Sequence, residues 1–425
     1  MKEIEIKGID EIIYHDVCDN GLNIYVWVNE KVESSFLSLA VKYGSIHTDF
    51  EIGKKKYKVP DGIAHYLEHV KFNEGPDKTA HDFFYKMGSE VNAFTTFDYT
   101  SYYVVTMDRV EENLIHLLDF VQTPYFTDEL IEKEKGIICE EEKMGEDCAD
   151  TVNYFGIFKN LFENSKYKDL VTGSLEEINK TTKEDIELVF NTFYHPENMA
   201  LFITGNVNPH EIKMIVNKNQ NSKKFKKNVN PKIIAPKEKD VVCKEYTSIN
   251  GNVMQPRVKI GIKMPKEIFG KYTDFDIRFA INLALNMNFG PTSDIKEYLV
   301  ENNIASNVAA SCDIYDDHVI IVIASETRFP DDVIKKLEEK IQNMEYDEAT
   351  FNRKIKSLIA TFILNYDSIE KVNSIIQDDY INYGYVVEDA KEKYEKFTLR
   401  KFKTIMSLLS FENRTIFIMK PKEDE

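Results

Sequence analysis

Displaced by 215 residues, the chain partly repeats itself, and that register constrains the fold more than any other feature of the sequence. Near the end of the first half, Glu197-Asn198-Met199-Ala200-Leu201-Phe202-Ile203 answers Glu412-Asn413-Arg414-Thr415-Ile416-Phe417-Ile418. At the same offset Gly75-Pro76 falls on Gly290-Pro291, and Asn92, Asp98 and Val104 fall on Asn307, Asp313 and Val319. One offset shared by separated segments is the mark of duplicated domains. Two tandem homologous domains are therefore expected, over residues 1–216 and 240–425. A Lys/Asn/Pro-rich stretch, 217–239, has the composition of an exposed linker between them. A length of 425 residues, beyond the usual single core, agrees.

Each half reads as strands, then helices, then strands again. In the first half, Leu22–Val28 and Ser35–Tyr43 alternate or run apolar as strands. Gly62–Phe72 and Ala80–Met87 have helical spacing, and Glu90–Phe94 and Ser101–Met107 return to strand patterning. Val110–Val121 and Asp128–Met144 are helical again, and Ala200–Gly205 closes the set as a strand. The expected class is α+β, with helices packed on a largely antiparallel sheet in each half.

Composition narrows what such a chain can do. It is 43% hydrophobic and 12% aromatic and has no apolar run near membrane-spanning length, so a soluble globular protein with no membrane partner is expected. The start, Met1–Lys7, alternates like a strand and lacks the hydrophobic region of a signal peptide. Five cysteines without a Cys-x-x-Cys pair fit reduced thiols in a cytoplasm. A net charge of −18 argues against nucleic acid as a partner.

The chemistry concentrates in His65-Tyr66-Leu67-Glu68-His69. On a helix the two histidines stand one turn apart on one face, offering two of the three protein ligands of a catalytic zinc. Glu68 lies on nearly the same face, where a carboxylate can take a proton from an activated water. This order is the inverted form of a zinc-peptidase motif. A third ligand is expected from the helix over 128–145, whose apolar stripe includes Leu130, Ile137, Ile138 and Met144. Glu134 and Glu141 are seven residues apart and nearly in line beside that stripe, while Glu140 and Glu142 are each rotated about 100° from Glu141. Glu141 is the expected ligand, and Glu134 the group that holds a ligating histidine in place. At the duplicated positions the second half carries Ala280, Leu283, Ala284 and Lys356, so it cannot bind a metal in the same way.

Gly62-Ile63-Ala64-His65-Tyr66-Leu67-Glu68-His69, Asn92-Ala93-Phe94-Thr95, Glu134–Glu141 and Tyr194-His195-Pro196-Glu197-Asn198-Met199 together resemble the insulinase/pitrilysin family of zinc peptidases. The layout is similar to its small members, the mitochondrial processing peptidase subunits and their bacterial relatives. The resemblance implies two similar α+β halves that form a clam-like chamber. It implies one zinc per chain, held by His65, His69 and Glu141, with Glu68 as general base and Glu134 as auxiliary carboxylate. It also implies that Asn92, Ala93 and Phe94 form an edge strand that pairs with an extended substrate peptide, a mode that gives backbone hydrogen bonds to any sequence.

One departure matters. Self-sufficient members carry an Arg and, seven residues on, a Tyr in the second half, which grip the substrate carbonyl. Those positions fall near Leu299 or Val300 and on Ser306, and no Arg occurs between Arg278 and Arg328. Loss of one oxyanion donor costs about 100- to 1000-fold in turnover. The expectation is thus a zinc-bearing endopeptidase subunit that cleaves small or unfolded peptides, such as precursor or leader peptides. A zinc-less homologous partner subunit would supply the missing pair. The alternatives are a self-sufficient processing peptidase, with Lys296, Tyr298 or another Tyr as clamp, and a zinc-binding non-catalytic scaffold.

Overall fold

The computed structural model describes residues Met1–Lys422. In the first half the strands that matter are β1 (Lys2–Ile6), β2 (Glu11–Val17), β3 (Asn23–Val28) and β4 (Ser35–Val41). Helices α1 (Ile63–Lys71) and α2 (Ala80–Lys86) lead to strands β5 (Glu90–Thr95) and β6 (Thr100–Thr106). Then come α3 (Val110–Gln122), α4 (Asp128–Asp147), α5 (Ala149–Leu161), α6 (Lys183–Phe193), β7 (Met199–Gly205) and α7 (Pro209–Asn221). The second half supplies β8 (Tyr246–Gly251), β9 (Arg257–Pro265), α8 (Asp274–Phe289) and α9 (Asp294–Glu301). It continues through β10 (Ala305–Tyr315), β11 (His318–Thr327), α10 (Pro330–Gln342), α11 (Glu348–Asn365), α12 (Ile369–Tyr383) and β12 (Arg414–Pro421). The mixed α+β class is as expected, and the first-half elements begin and end within a few residues of the limits read from periodicity.

The duplication is written in the sheets. The first has the order β1-β2-β3-β7-β4-β6-β5, the second β8-β12-β9-β11-β10. The five-strand order β3-β7-β4-β6-β5 thus recurs in the second sheet. In each, one pair is parallel, β3 with β7 and β8 with β12, and the others are antiparallel. Every residue of β7 is buried, as expected of a central strand covered on both faces, and its one polar side chain, Thr204, donates to the carbonyl of Ile369 at 2.7 Å. Strand alternation sends Leu37, Leu39, Tyr102 and Val104 into the core under α1 and α3. A separate core in the second unit gathers Ile260, Ile262, Leu283, Ile321 and Ile323.

The compact units do not follow a single cut in the sequence. One comprises Met1–Glu142, Leu170–Ile234 and Thr361–Lys393, and the other Lys143–Asp169, Ala235–Ala360 and Tyr394–Glu425. Helix α12 therefore belongs with the first sheet and α5 with the second. On the first sheet, Asn373 of α12 donates to the carbonyl of Phe202 at 3.2 Å, and Ser38 donates to Asn373 at 2.6 Å. On the second, Asn160 of α5 donates to Thr415 at 2.9 Å and to the carbonyl of Ile416 at 3.2 Å. A division at 217–239 misses both helices, because what assigns them is packing against strands remote in sequence.

The stretch 217–239 is also less free than its composition predicts. Helix α7 runs to Asn221, Ile233 pairs with Phe50, and Glu238 is buried. Glu238 accepts N–H bonds from Glu163, Asn164 and Ser165 at 3.1, 2.6 and 2.6 Å, and the ammonium of Lys263 lies 2.8 Å away. Among the described residues no helix is long and apolar enough to cross a membrane, and all five cysteines are free thiols.

Candidate metal centre

Helix α1 starts where only glycine fits. Gly62 has φ +84°, and a Cβ there would strike the carbonyl of Thr172. Ile63, Ala64, Tyr66, Leu67 and Val70 are buried and fix the helix by its apolar face. The Tyr66 hydroxyl donates to the carbonyl of Ile131 at 2.5 Å, which ties α1 to α4. With the inner face set, His65 and His69 stand half-buried on the outer one, their ring centroids 4.6 Å apart.

Helix α4 brings Glu141 to the same point. One ligand atom from each of His65, His69 and Glu141 lies within 4.8 Å of the others. Glu141 Oε2 is 3.3 Å from His69 Nε2 and 4.0 Å from His65 Nε2. Ligands at about 2.0–2.2 Å from a tetrahedral ion stand about 3.3–3.6 Å apart, so this donor set fits zinc with little movement. His65 also argues that the set is not a simple ion pair. Burial and the neighbouring His69 push its imidazole down to about 3, so it is neutral at physiological pH. Its Nδ1 is buried without a hydrogen-bond partner, and its Nε2 faces the Glu141 carboxylate.

His69 is held from behind. Glu134 Oε2 lies 3.7 Å from His69 Nδ1, and Asn73 Nδ2 donates to Glu134 Oε1 at 3.3 Å. Burial lowers the proton affinity of His69, but Glu134, Glu141 and Glu68 outweigh it and leave the group above its ordinary value in the metal-free protein. Glu68 is 7% exposed, and burial raises its carboxyl above the ordinary range despite the opposing Thr95 hydrogen bond. Thr95 Oγ1 donates to Glu68 Oε2 at 2.5 Å. Thr100 Oγ1 lies 3.3 Å from Thr95 Oγ1 and donates to the carbonyl of Tyr43 at 2.9 Å. Neither Thr95 nor Asn73 carries a local sequence signal for these contacts, although Thr95 closes the Asn92–Thr95 motif.

The buried face of α4 corrects one expectation. Leu130, Ile131, Glu134, Ile138 and Glu142 are buried, whereas Ile137 and Met144 are 42% and 72% exposed. The stripe is rotated from the predicted one because Glu142 turns inward, accepting a hydrogen bond from the Thr172 hydroxyl. Glu141 consequently sits at the margin, its side chain 42% exposed, beside the two histidines.

Strand β5 ends the first sheet and carries Asn92, Ala93 and Phe94. Val91, Ala93 and Thr95 face α1, while Asn92 and Phe94 point the other way; Phe94 is 39% exposed. Asn92 Oδ1 accepts from the backbone N–H of Ala93 at 2.8 Å. In the second unit, Leu299 is buried in the core, and Val300 and Ser306 are exposed. None of the three carries a donor matching the expected Arg/Tyr pair in chemistry.

Comparison with known proteins places these features. The model described as Insulinase (Peptidase family M16) matches residues 25–174, and that of the Peptidase M16 inactive domain matches 180–358. A Bacillus subtilis protein named uncharacterized zinc protease YmfH is 37% identical over 304 residues, 71% of each chain. A mitochondrial-processing peptidase subunit beta from Dictyostelium discoideum is 27% identical over 157 residues, 36% of this chain and 34% of that one. The crystal structure of an M16-like peptidase from Alicyclobacillus acidocaldarius superposes with a TM-score of 0.90 at 25% identity, covering 98% of this chain and 100% of that one. The residues and the fold agree, and the chain belongs to the insulinase family, peptidase family M16.

Proposed function

We propose that this chain is the zinc-bearing subunit of an endopeptidase that cleaves small or unfolded peptides. The observation that carries the proposal is the convergence of His65 Nε2, His69 Nε2 and Glu141 Oε2 beside the buried carboxylate of Glu68. Those three side chains would hold one zinc, with Glu134 orienting His69. A zinc there supplies Lewis-acid polarisation of the scissile carbonyl and of a water. Glu68 is placed to take a proton from the attacking water. Thr95 occupies Oε2, which leaves Oε1 to receive the proton and later to pass it to the departing amine. The peptide lies extended along β5, next to the carboxylate, its backbone paired with the strand edge at Asn92, Ala93 and Phe94. Pairing there displaces the Asn92 side chain from the Ala93 N–H, a small cost that the new backbone bonds offset.

The carbonyl clamp comes from a partner subunit of the same family that lacks the zinc ligands. The exposed Val300 and Ser306, standing where the family's Arg and Tyr are expected, support this part. So does the likeness to a protein named as one subunit of a processing peptidase. Leader or precursor peptides are the proposed substrates.

The test is a quenched-peptide library with this chain alone, with a zinc-less homologue alone, and with both. Cleavage is expected only in the mixture. Glu68→Gln should lower it by about a thousandfold or more without releasing the metal, measured by metal analysis after gel filtration. Equal cleavage by the chain alone would refute the split site, and an active Glu68→Gln protein would refute the role of Glu68.

A further inference from the structure

Strand β9 turns Lys259, Gly261 and Lys263 toward α5 in the second unit. Gly261 lets the helix come close, since a Cβ there would sit 3.1 Å from the side chains of Ile157 and Leu161. The two lysines on this buried face are treated very differently. Lys263 is fully buried and has the carboxylate of Glu238 at 2.8 Å. Lys259 is 9% exposed, and its ammonium donates to the carbonyl of Asn153 at 2.7 Å and stands 5.6 Å from the Tyr154 ring. No carboxylate pairs with it among the described residues. Asp150 is bound to Arg257 at 2.5 Å and acts on Lys259 only through its more distant charge, and Asp313 is bound to Arg278 at 3.2 Å.

Beside Lys259 opens a cavity of about 310 Å³. It exists because small side chains, Ala309, Ser311 and Ala324, stand on the sheet where α5 leaves the strands uncovered. Its walls are apolar at Ile157, Phe158 and Val322, while Tyr154, Ser311, Tyr315 and the Arg278-paired Asp313 supply its polar part, so an anion is favoured only at the Lys259 end. A buried ammonium with no counter-ion is costly, and an anion that brings its own apolar body would relieve the cost while filling the space. The volume lies at the lower end of about 300–1,000 Å³ for small-molecule pockets, so the ligand must be small.

We propose that this cavity binds an apolar carboxylate, with the carboxylate on Lys259 Nζ and the body against Ile157, Phe158 and Val322. The ligand is either a free small acid or the C-terminal residue of a peptide, which share this chemistry. Burial, which holds the Lys259 ammonium down to about 8 with Arg257 adding to the effect, accords with a site that gains from an incoming anion. The proposal stands whether or not the metal centre acts as described above.

The test is calorimetric titration of the full chain at pH 7 with 3-phenylpropionate, 3-phenylpropionamide, Gly-Gly-Phe and Gly-Gly-Phe amide. Wild type, Lys259→Met and Lys259→Arg are compared, so that any binding at the metal centre is common to all three. Thermal melting confirms that each variant is folded. Wild type and Lys259→Arg should bind the acid within a few-fold of each other, and Lys259→Met at least tenfold more weakly. The amides should be at least tenfold weaker on wild type. Binding of phenylpropionate alone assigns the site to free acids, and binding of both carboxylates assigns it to peptide ends. Amides that bind as well as acids, an unaffected Lys259→Met, or no binding at millimolar concentration would overturn the proposal.

Discussion

A chain ended after Ile234 contains the whole of the zinc-motif half, yet it lacks helix α12, which belongs to its own compact unit. The loss is large. On α12, Ile369, Val372, Ile376 and Tyr380 are at most 9% exposed, and on the first sheet Tyr25, Trp27 and Phe202 are at most 2% exposed. Tyr380 packs on Tyr25 and Phe202 at 5.6 and 5.9 Å between ring centroids, and Tyr366, just before α12, packs on Trp27 at 6.2 Å. Burial of a large apolar side chain contributes about 1.5–3 kcal/mol, so this set represents on the order of 10–20 kcal/mol. A whole domain is stable by only about 5–15 kcal/mol. The fragment should therefore fail to fold alone. Trp27, the single tryptophan of the chain, makes the assay direct. In the fragment 1–234 its emission should be red-shifted and the melt non-cooperative. Appending residues 361–393 through a flexible linker should restore both. A monomeric 1–234 fragment with native-like emission and a cooperative melt would show that the helix is dispensable and the reasoning wrong.

Two further predictions concern single residues. Glu238→Ala leaves the buried Lys263 without its counter-ion, and should lower unfolding stability by about 3–5 kcal/mol in urea titrations. Lys263 and the three N–H donors outweigh burial and hold the Glu238 carboxyl down to about 2 in the folded protein. Its contribution is therefore complete above the ordinary carboxylate range near pH 4.5 and is lost as pH falls toward 2, a slope the alanine variant should lack. Thr95→Val removes the hydroxyl from Glu68 and should lower turnover about tenfold in the active assembly, with Thr95→Ser restoring most of it. Zinc affinity by chelator competition should be the same in all three proteins; a parallel loss of zinc would mean that Thr95 supports the whole site rather than the base.

Much of the site was legible because its signals are local. Helical spacing puts His65, Glu68 and His69 on one side of α1 without reference to any other element. The alternation of Glu90–Thr95 likewise marks a strand. Glu141 was reached by a weaker route, since helical spacing relates it to Glu134 but not to solvent. Its stripe was drawn through Ile137 and Met144, both of which are exposed. Nothing within the helix says that Glu142 will turn inward to Thr172, thirty residues on. The Thr95 and Asn73 contacts are equally invisible, because a hydroxyl or an amide acquires its role from whichever carboxylate folding brings beside it.

The sequence by itself determined the duplicated α+β plan, the helix that carries the two histidines, and the replacement of those histidines by Ala280 and Ala284 at the matching positions of the second half. These rest on periodicity and on register, which are properties of neighbouring residues. Only the tertiary structure decided which segments form each unit, where Glu141 meets the histidines, and which buried lysine has a counter-ion. Asn373 finds its partners at Ser38 and Phe202, 335 and 171 residues away along the chain. Pairings at that distance are chosen by how whole faces pack, and a face is complete only when every element that covers it is in place.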